Sequence, residues 1–171
     1  MRRSAELIRE RKYDLAALIA VEVGKSRLEA MGDAEESADL IDYYCGQVEE
    51  TDGFVRPMGR ITPVERNTDV LRPYGVFACI APFNFPLALS TGMSSAALMA
   101  GNVGLLKHAS NVPQTALYLE DLFHRAGFTE GCFQTLLVGS AAVDDSPPSR
   151  REPLERFMAK LFDAHPARMI P

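Results

Sequence analysis

The chain has 171 residues, of which 47% are hydrophobic and 24% charged, enough for one globular domain with a sizeable core. A net charge of −5 with no basic face argues against a nucleic-acid or anionic-membrane partner. No apolar run reaches the roughly 18 residues of a membrane span, and the three widely spaced cysteines, Cys45, Cys79 and Cys132, without a CxxC pair or a secretory leader, predict unpaired thiols in a reducing cytoplasm.

Residues 4–23 place Leu7, Ile8, Leu15, Leu18, Ile19 and Val23 on one side at helical spacing, predicting a helix ended by Gly24. Ser26 with Glu29 three residues on has the spacing of a capping box and predicts the start of a second helix. Its core-facing stripe is Met31, Ala34, Ala38, Ile41, Cys45 and Val48, which makes Cys45 a packed thiol. The acidic residues Glu35, Glu36, Asp39, Asp42, Glu49 and Glu50 read as a solvated helix face.

From 52 to 72 the pattern turns to Gly, Pro and short alternating segments. Residues 60–62 and 69–71 predict two extended strands around a turn at 65–67, a hairpin-like unit. A strand over Val76–Ile80 follows, then a loop to Phe85, a helix over 86–100, a strand over Val103–Lys107, a helix from Pro113 to about Arg125 stopped by Gly127, and a strand over 133–138 ending at Gly139. This β-α-β-α-β order predicts an α/β fold, a partial doubly wound, Rossmann-like parallel sheet with right-handed crossovers, preceded by two N-terminal helices and the hairpin-like segment. Gly101, Gly104, Gly131 and Gly139 read as punctuation between elements. Residues 146–151 look like a linker, 154–162 like a short amphipathic helix, and the last residues show no periodicity.

The stretch 72–101 carries the clearest functional signal. A strand breaks at Ala81-Pro82, displays one amide in Phe83-Asn84-Phe85, and opens a small-residue helix at Pro86. Open α/β folds place ligand contacts at such strand ends. The Asn84 amide is a neutral donor suited to an oxygen that becomes negative during attack on a carbonyl, or it serves the backbone ahead of the helix, as loop asparagines commonly do. Lys107-His108-Ala109-Ser110 ends the next strand. Lys107 there can reach a ribose or phosphate, with Ser110 adding an uncharged hydroxyl, or the two are an ordinary surface lysine and a turn serine. No metal site is expected, because His108, His124 and His165 have no partners at ligand spacing. No Gly-rich phosphate cradle is present. Cys79 and Cys132 have no sequence neighbour that would lower their pKa.

Phe83-Asn84-Phe85-Pro86, together with Ala100-Gly101-Asn102 and Leu106-Lys107, resembles the oxyanion loop and second cofactor strand of the aldehyde dehydrogenase superfamily. The stretch 21–45 with DGFVRP is most similar to pyrroline-5-carboxylate dehydrogenases, and 96–117 through FQTLLVGSAAVDD to succinate-semialdehyde dehydrogenases. The resemblance implies NAD(P)-dependent oxidation of a (semi)aldehyde to a carboxylate, a small aldehyde substrate and a homo-oligomeric parent enzyme. It makes Asn84 the oxyanion donor, places Ile80, Ala81, Pro82 and Phe83 beside the nicotinamide and pyrophosphate, Lys107 at the adenosine ribose with Ala109 and Ser110 next to it, and Gly139 near the adenine. Family members with a glutamate at the Ser110 position favour NAD, so serine there permits or prefers NADP.

The family's cysteine nucleophile, glutamate base and Gly-containing helix start lie beyond the matching region, and Ser146-Pro147-Pro148-Ser149-Arg150-Arg151 departs from the family pattern. The implied organisation is an N-terminal helical part of the cofactor domain at 1–51, an oligomerisation-strand-like segment at 52–72, the cofactor unit at 73–145 and a non-family tail at 146–171. The expectation is a truncated dehydrogenase portion, inactive alone. Two alternatives stand beside it: a non-catalytic module that binds NADP or a full-length subunit, and a gene product without function.

Overall fold

The computed structural model describes residues 1–138. Gly139, the linker-like 146–151 and the stretch 154–162 lie outside the described residues.

Three helices open the chain: α1 (Arg2–Glu10), α2 (Lys12–Val23) and α3 (Arg27–Glu50). The single helix expected over 4–23 is thus divided at Arg11, whose φ of −108° and ψ of 14° leave helical geometry. The Arg11 N–H reaches the carbonyls of both Leu7 and Ile8, so no backbone donor is lost at the break. Leu7, Ile8, Leu15 and Ile19 are buried, while Leu18 and Val23 are half-buried. Gly24 closes α2 at φ 78°, a left-handed conformation that costs a glycine little. The capping box forms as the spacing predicts: Glu29 N–H donates to Ser26 Oγ, and the Glu29 carboxylate accepts from the Ser26 N–H and hydroxyl. Those bonds hold the Glu29 carboxyl below its usual range. The acidic face of α3 is also more than a solvated surface. Arg2 pairs with Asp42 and Glu49, Arg9 with Asp39 and Asp42, and Lys12 with Glu35, which registers α1 and α2 along α3.

The hairpin-like segment differs from its expected register. Its strands are β1 (Val55–Pro57) and β2 (Thr68–Val70), paired antiparallel with Val55 opposite Val70. Residues 60–62 form no strand because their backbone is committed locally: Ile61 and Thr62 N–H donate to the Glu65 carboxylate, and Asn67 Nδ2 donates to Gly59 O.

The second half follows the sequence closely. β3 (Val76–Ile80), β4 (Val103–Lys107) and β5 (Phe133–Leu136) form a parallel sheet in that order, joined by α4 (Ala88–Met99) and α5 (Pro113–Arg125). Both crossover helices cover one face. A Cβ on Gly104 would meet Leu98 of α4 and lie 2.9 Å from the Phe133 ring, while Phe133 packs edge-on against Phe123 of α5 at 4.8 Å. Gly104 is therefore a close-packing glycine inside β4, where punctuation between elements was expected. This is one half of a doubly wound sheet. Its helical face and α1–α3 share a core that includes Ile8, Leu15, Ile19, Ile41, Leu106, Leu119, Leu122 and Phe133.

The N-termini of α4 and α5 are where the two halves interlock. Neither helix has a side-chain cap from its own leading residue. Asp33 of α3 accepts from Ala88 N–H at 2.7 Å. Glu22 of α2 accepts from the N–H groups of Gln114 and Thr115 at 2.8 and 3.0 Å and from Thr115 Oγ1 at 2.6 Å. Each carboxylate satisfies donors that a helix start otherwise leaves unpaired and sits at the positive end of the helix dipole. Replacing Glu22 by Ala strands three donors at once. We expect it to cost about 1–2 kcal/mol, read as a lower urea midpoint with an unchanged slope; an unaltered midpoint would show that the cap contributes nothing.

Candidate functional site

The carboxyl edge of the sheet gathers the residues singled out above. Ile80 and Lys107 are register partners on β3 and β4, with Leu136 opposite Lys107 on β5. Ala81 N–H donates to Lys107 O at 3.1 Å, carrying the pairing one residue past β3. The chain then leaves the sheet. Pro82, Phe83, Asn84 and Phe85 are exposed, and Pro86 is buried again. Among the described residues the Asn84 side chain makes no hydrogen bond, so its amide does not serve the local backbone.

The exposed tip is held at its far end. Pro86 O accepts from Ser90 Oγ at 2.6 Å and lies 2.7 Å from Nε2 of the buried His108. A carbonyl only accepts, so His108 carries a proton on Nε2. Its Nδ1 is buried without a partner among the described residues. Two residues on, Ala88 N–H is the donor bound by Asp33, whose other oxygen pairs with Lys25 Nζ at 2.9 Å. Lys25 Nζ in turn lies 3.6 Å from the centre of the Phe85 ring. The sequence does not single out Asp33 or Lys25, and it weighs His108 only as a metal ligand. A signal for Asp33 existed: it falls on the buried stripe of α3 between Ala30 and Ala34, where a carboxylate demands a partner.

Ala109 and Ser110 belong to a separate feature, a cleft of about 150 Å³ lined by His108, Ala109, Ser110, Pro113, Leu137 and Val138. It lies between the ends of β4 and β5. Lys107 is buried and makes no ion pair among the described residues. Neither Lys107 nor Asn84 lines the cleft. The expected site thus divides into an exposed amide loop after β3 and a cleft after β4, bridged by His108, which lines the cleft and bonds the loop. Phosphate cannot use the starts of α4 and α5, because Asp33 and Glu22 already occupy them. Ser110, by contrast, presents a hydroxyl and no charge at the cleft mouth, a fit for a nucleotide ribose with or without an added phosphate.

Residues 1–146 match the aldehyde dehydrogenase family. The chain belongs to that family. It is 42% identical over 141 residues to the NADP(+) succinate-semialdehyde dehydrogenase of Mycobacterium avium, an alignment covering 82% of this chain and 30% of that protein. The solved succinic semialdehyde dehydrogenase of Streptococcus pyogenes, in complex with NADP+, superposes with a TM-score of 0.75 at 27% identity over 83% of this chain and 30% of that one. Proline utilization A of Bradyrhizobium japonicum superposes with a TM-score of 0.76 at 33% identity over 81% of this chain and 14% of that one. The chain therefore spans about 30% of the length of the curated relatives it matches. No helix among the described residues is long and apolar enough to cross a membrane.

Aldehyde dehydrogenases of this kind would need a reactive thiol, so the placement of the three cysteines matters. Cys45 is buried on α3 with its sulfur 4.0 Å from that of Met99. Cys79 is buried within β3. Cys132 is half-buried, its sulfur 3.1 Å from Thr129 Oγ1. Burial pushes the Cys45 and Cys79 thiols up, so both hold their protons beyond the ordinary thiol range. A thiol raised only in the folded state favours folding below the unfolded-chain pKa of about 8.5, and that contribution is lost as pH rises above it. We expect an aromatic disulfide reagent at pH 8 to label Cys132 first and the other two only on unfolding, with stability falling as pH climbs past about 8.5. Fast labelling of Cys79 in the folded chain would contradict this placement.

Proposed function

We propose that this chain carries the cofactor-docking part of an NADP-dependent dehydrogenase acting on a semialdehyde, with Asn84 as the oxyanion donor. The reading rests above all on the exposed Asn84 amide, which has no hydrogen bond among the described residues and stands on a loop fixed at both ends. Donors held in place in advance are the ones that stabilise developing charge. The relatives named as NADP(+) succinate-semialdehyde dehydrogenases support the substrate class.

Each residue then has a role. Ile80, Ala81, Pro82 and Phe83 border the nicotinamide and pyrophosphate, Lys107 approaches the adenosine ribose, and Ala109 and Ser110 line the cleft beside it. The bound cofactor supplies the hydride acceptor. Ser110 offers a hydroxyl where a carboxylate would repel a 2′-phosphate, which favours NADP over NAD. No nucleophilic thiol is assigned to this chain, since Cys45 and Cys79 are buried and Cys132 sits against Thr129 Oγ1, and no general base is assigned. By itself the chain acts as a non-catalytic NADP-binding module. The arm at 52–72, with Ile61 94% exposed, is assigned to subunit contact in a homo-oligomer, and unpaired thiols suit a cytoplasmic setting.

Calorimetric titration of NADP and NAD into the chain tests the reading. We expect NADP to bind more tightly than NAD, Lys107→Ala to weaken NADP about tenfold, and Ser110→Glu to weaken NADP more than NAD. Succinate semialdehyde plus NADP should yield no NADPH. Absence of binding by either cofactor, or turnover above background, would overturn it.

A further inference from the structure

The oxyanion-donor reading of Asn84 leaves open how an exposed, non-helical tip keeps one geometry. Two side chains converge on it from outside the nucleotide-binding unit. Asp33 has a side chain with 0% exposure, in the second turn of α3. One of its oxygens takes the Ala88 N–H at the start of α4, 55 residues away in sequence, and the other takes Lys25 Nζ. Lys25 is 12% exposed and sits in the turn between α2 and α3. Its ammonium faces the Phe85 ring at 3.6 Å, and Phe85 is the residue directly after Asn84.

We infer that the Lys25–Asp33 pair is a positioning device for the Asn84 loop, holding its C-terminal end through the Phe85 ring and the Ala88 N–H. A buried carboxylate with a single amide partner would be poorly compensated, so Lys25 supplies the second partner that keeps Asp33 aimed at Ala88. An ammonium desolvated over an aromatic face gains a directional attraction that a solvated one lacks. The pair therefore does two jobs with one lysine. It satisfies the acid that caps α4, and it fixes the ring whose backbone neighbour carries the amide. His108, directly after β4, holds the same end of the loop through Pro86 O, so the residues that follow Asn84 are held both from the N-terminal helices and from the end of β4.

This inference rests on the Asn84 reading for its purpose, and its test does not depend on that reading. The loop is observed by NMR in the intact chain, with neither substrate nor cofactor. Three signals report it: the Lys25 ε-protons, which the Phe85 ring shifts upfield; the Asn84 side-chain NH2 pair; and hydrogen exchange at the Ala88 amide. Asp33→Asn keeps an acceptor for Ala88 and removes the charge that holds Lys25. We expect it to abolish the upfield Lys25 shift and to move the Asn84 NH2 signals. Lys25→Met should speed Ala88 exchange by about tenfold relative to Leu105 and Leu106 in β4, and Lys25→Arg should restore most of that protection. Leu122→Ala, a core change on α5, should speed the slowest amides without altering the Asn84 or Lys25 signals. If Lys25→Met does not fold, the Asp33→Asn spectrum decides. A Lys25 shift unchanged by Asp33→Asn, or Asn84 signals that move equally in Leu122→Ala, would overturn the inference; failure of NADP binding alone would leave it standing.

Discussion

Two carboxylates donated across the molecule hold this fold together at the place where it matters most. Helices α4 and α5 begin with unpaired backbone donors and a positive dipole end, and neither leading residue, Leu87 or Val112, can cap them. The caps come from the N-terminal helices: Asp33 for α4 and Glu22 for α5. Those helices are consequently a structural part of the unit built on the β3–β4–β5 sheet. Without them both crossover helices would start with stranded amides beside the very edge that carries the candidate site.

The same arrangement explains an unusual feature of the site. Many nucleotide-binding α/β folds rest phosphate on a helix start after a glycine-rich turn. Here the turn after β3 is Ala81-Pro82-Phe83-Asn84-Phe85-Pro86 and the helix start behind it is closed by Asp33. What the edge does offer is an exposed amide, a buried lysine at the end of β4, and a small cleft with an uncharged serine. Those are the groups on which the proposed docking of a ribose and a carbonyl oxygen rests.

The local rules were legible in the sequence where the signal was local. The capping box at Ser26 and Glu29, the glycine stop at Gly24, and the strands Val76–Ile80 and Val103–Lys107 all follow from patterns a few residues long. The misreadings arose where pairing decided the outcome. Arg60 to Thr62 alternates like a strand, but Glu65 claims its amides and β2 pairs with Val55–Pro57. Gly104 looked like a break, yet its missing side chain makes room for Phe133. The stripe through residues 4–23 fits a single straight helix in sequence, and no Gly or Pro marks the break at Arg11. Of the candidate site, Asn84 and the strand ends could be named by motif; Asp33 showed only as a carboxylate on a buried stripe, and the contacts to Ala88, Phe85 and Pro86 join residues too far apart in sequence for a spacing rule to name.

If the caps make the helical layer and the sheet interdependent, the two must open as one cooperative unit. Native-state hydrogen exchange in increasing urea measures this directly, by comparing buried amides of α2 and α3 with those of β4 and α5. The account predicts that both sets converge on one opening free energy and one urea dependence. Loss of protection throughout α1 to α3 at low urea, with β3, β4 and α5 still protected, would contradict it.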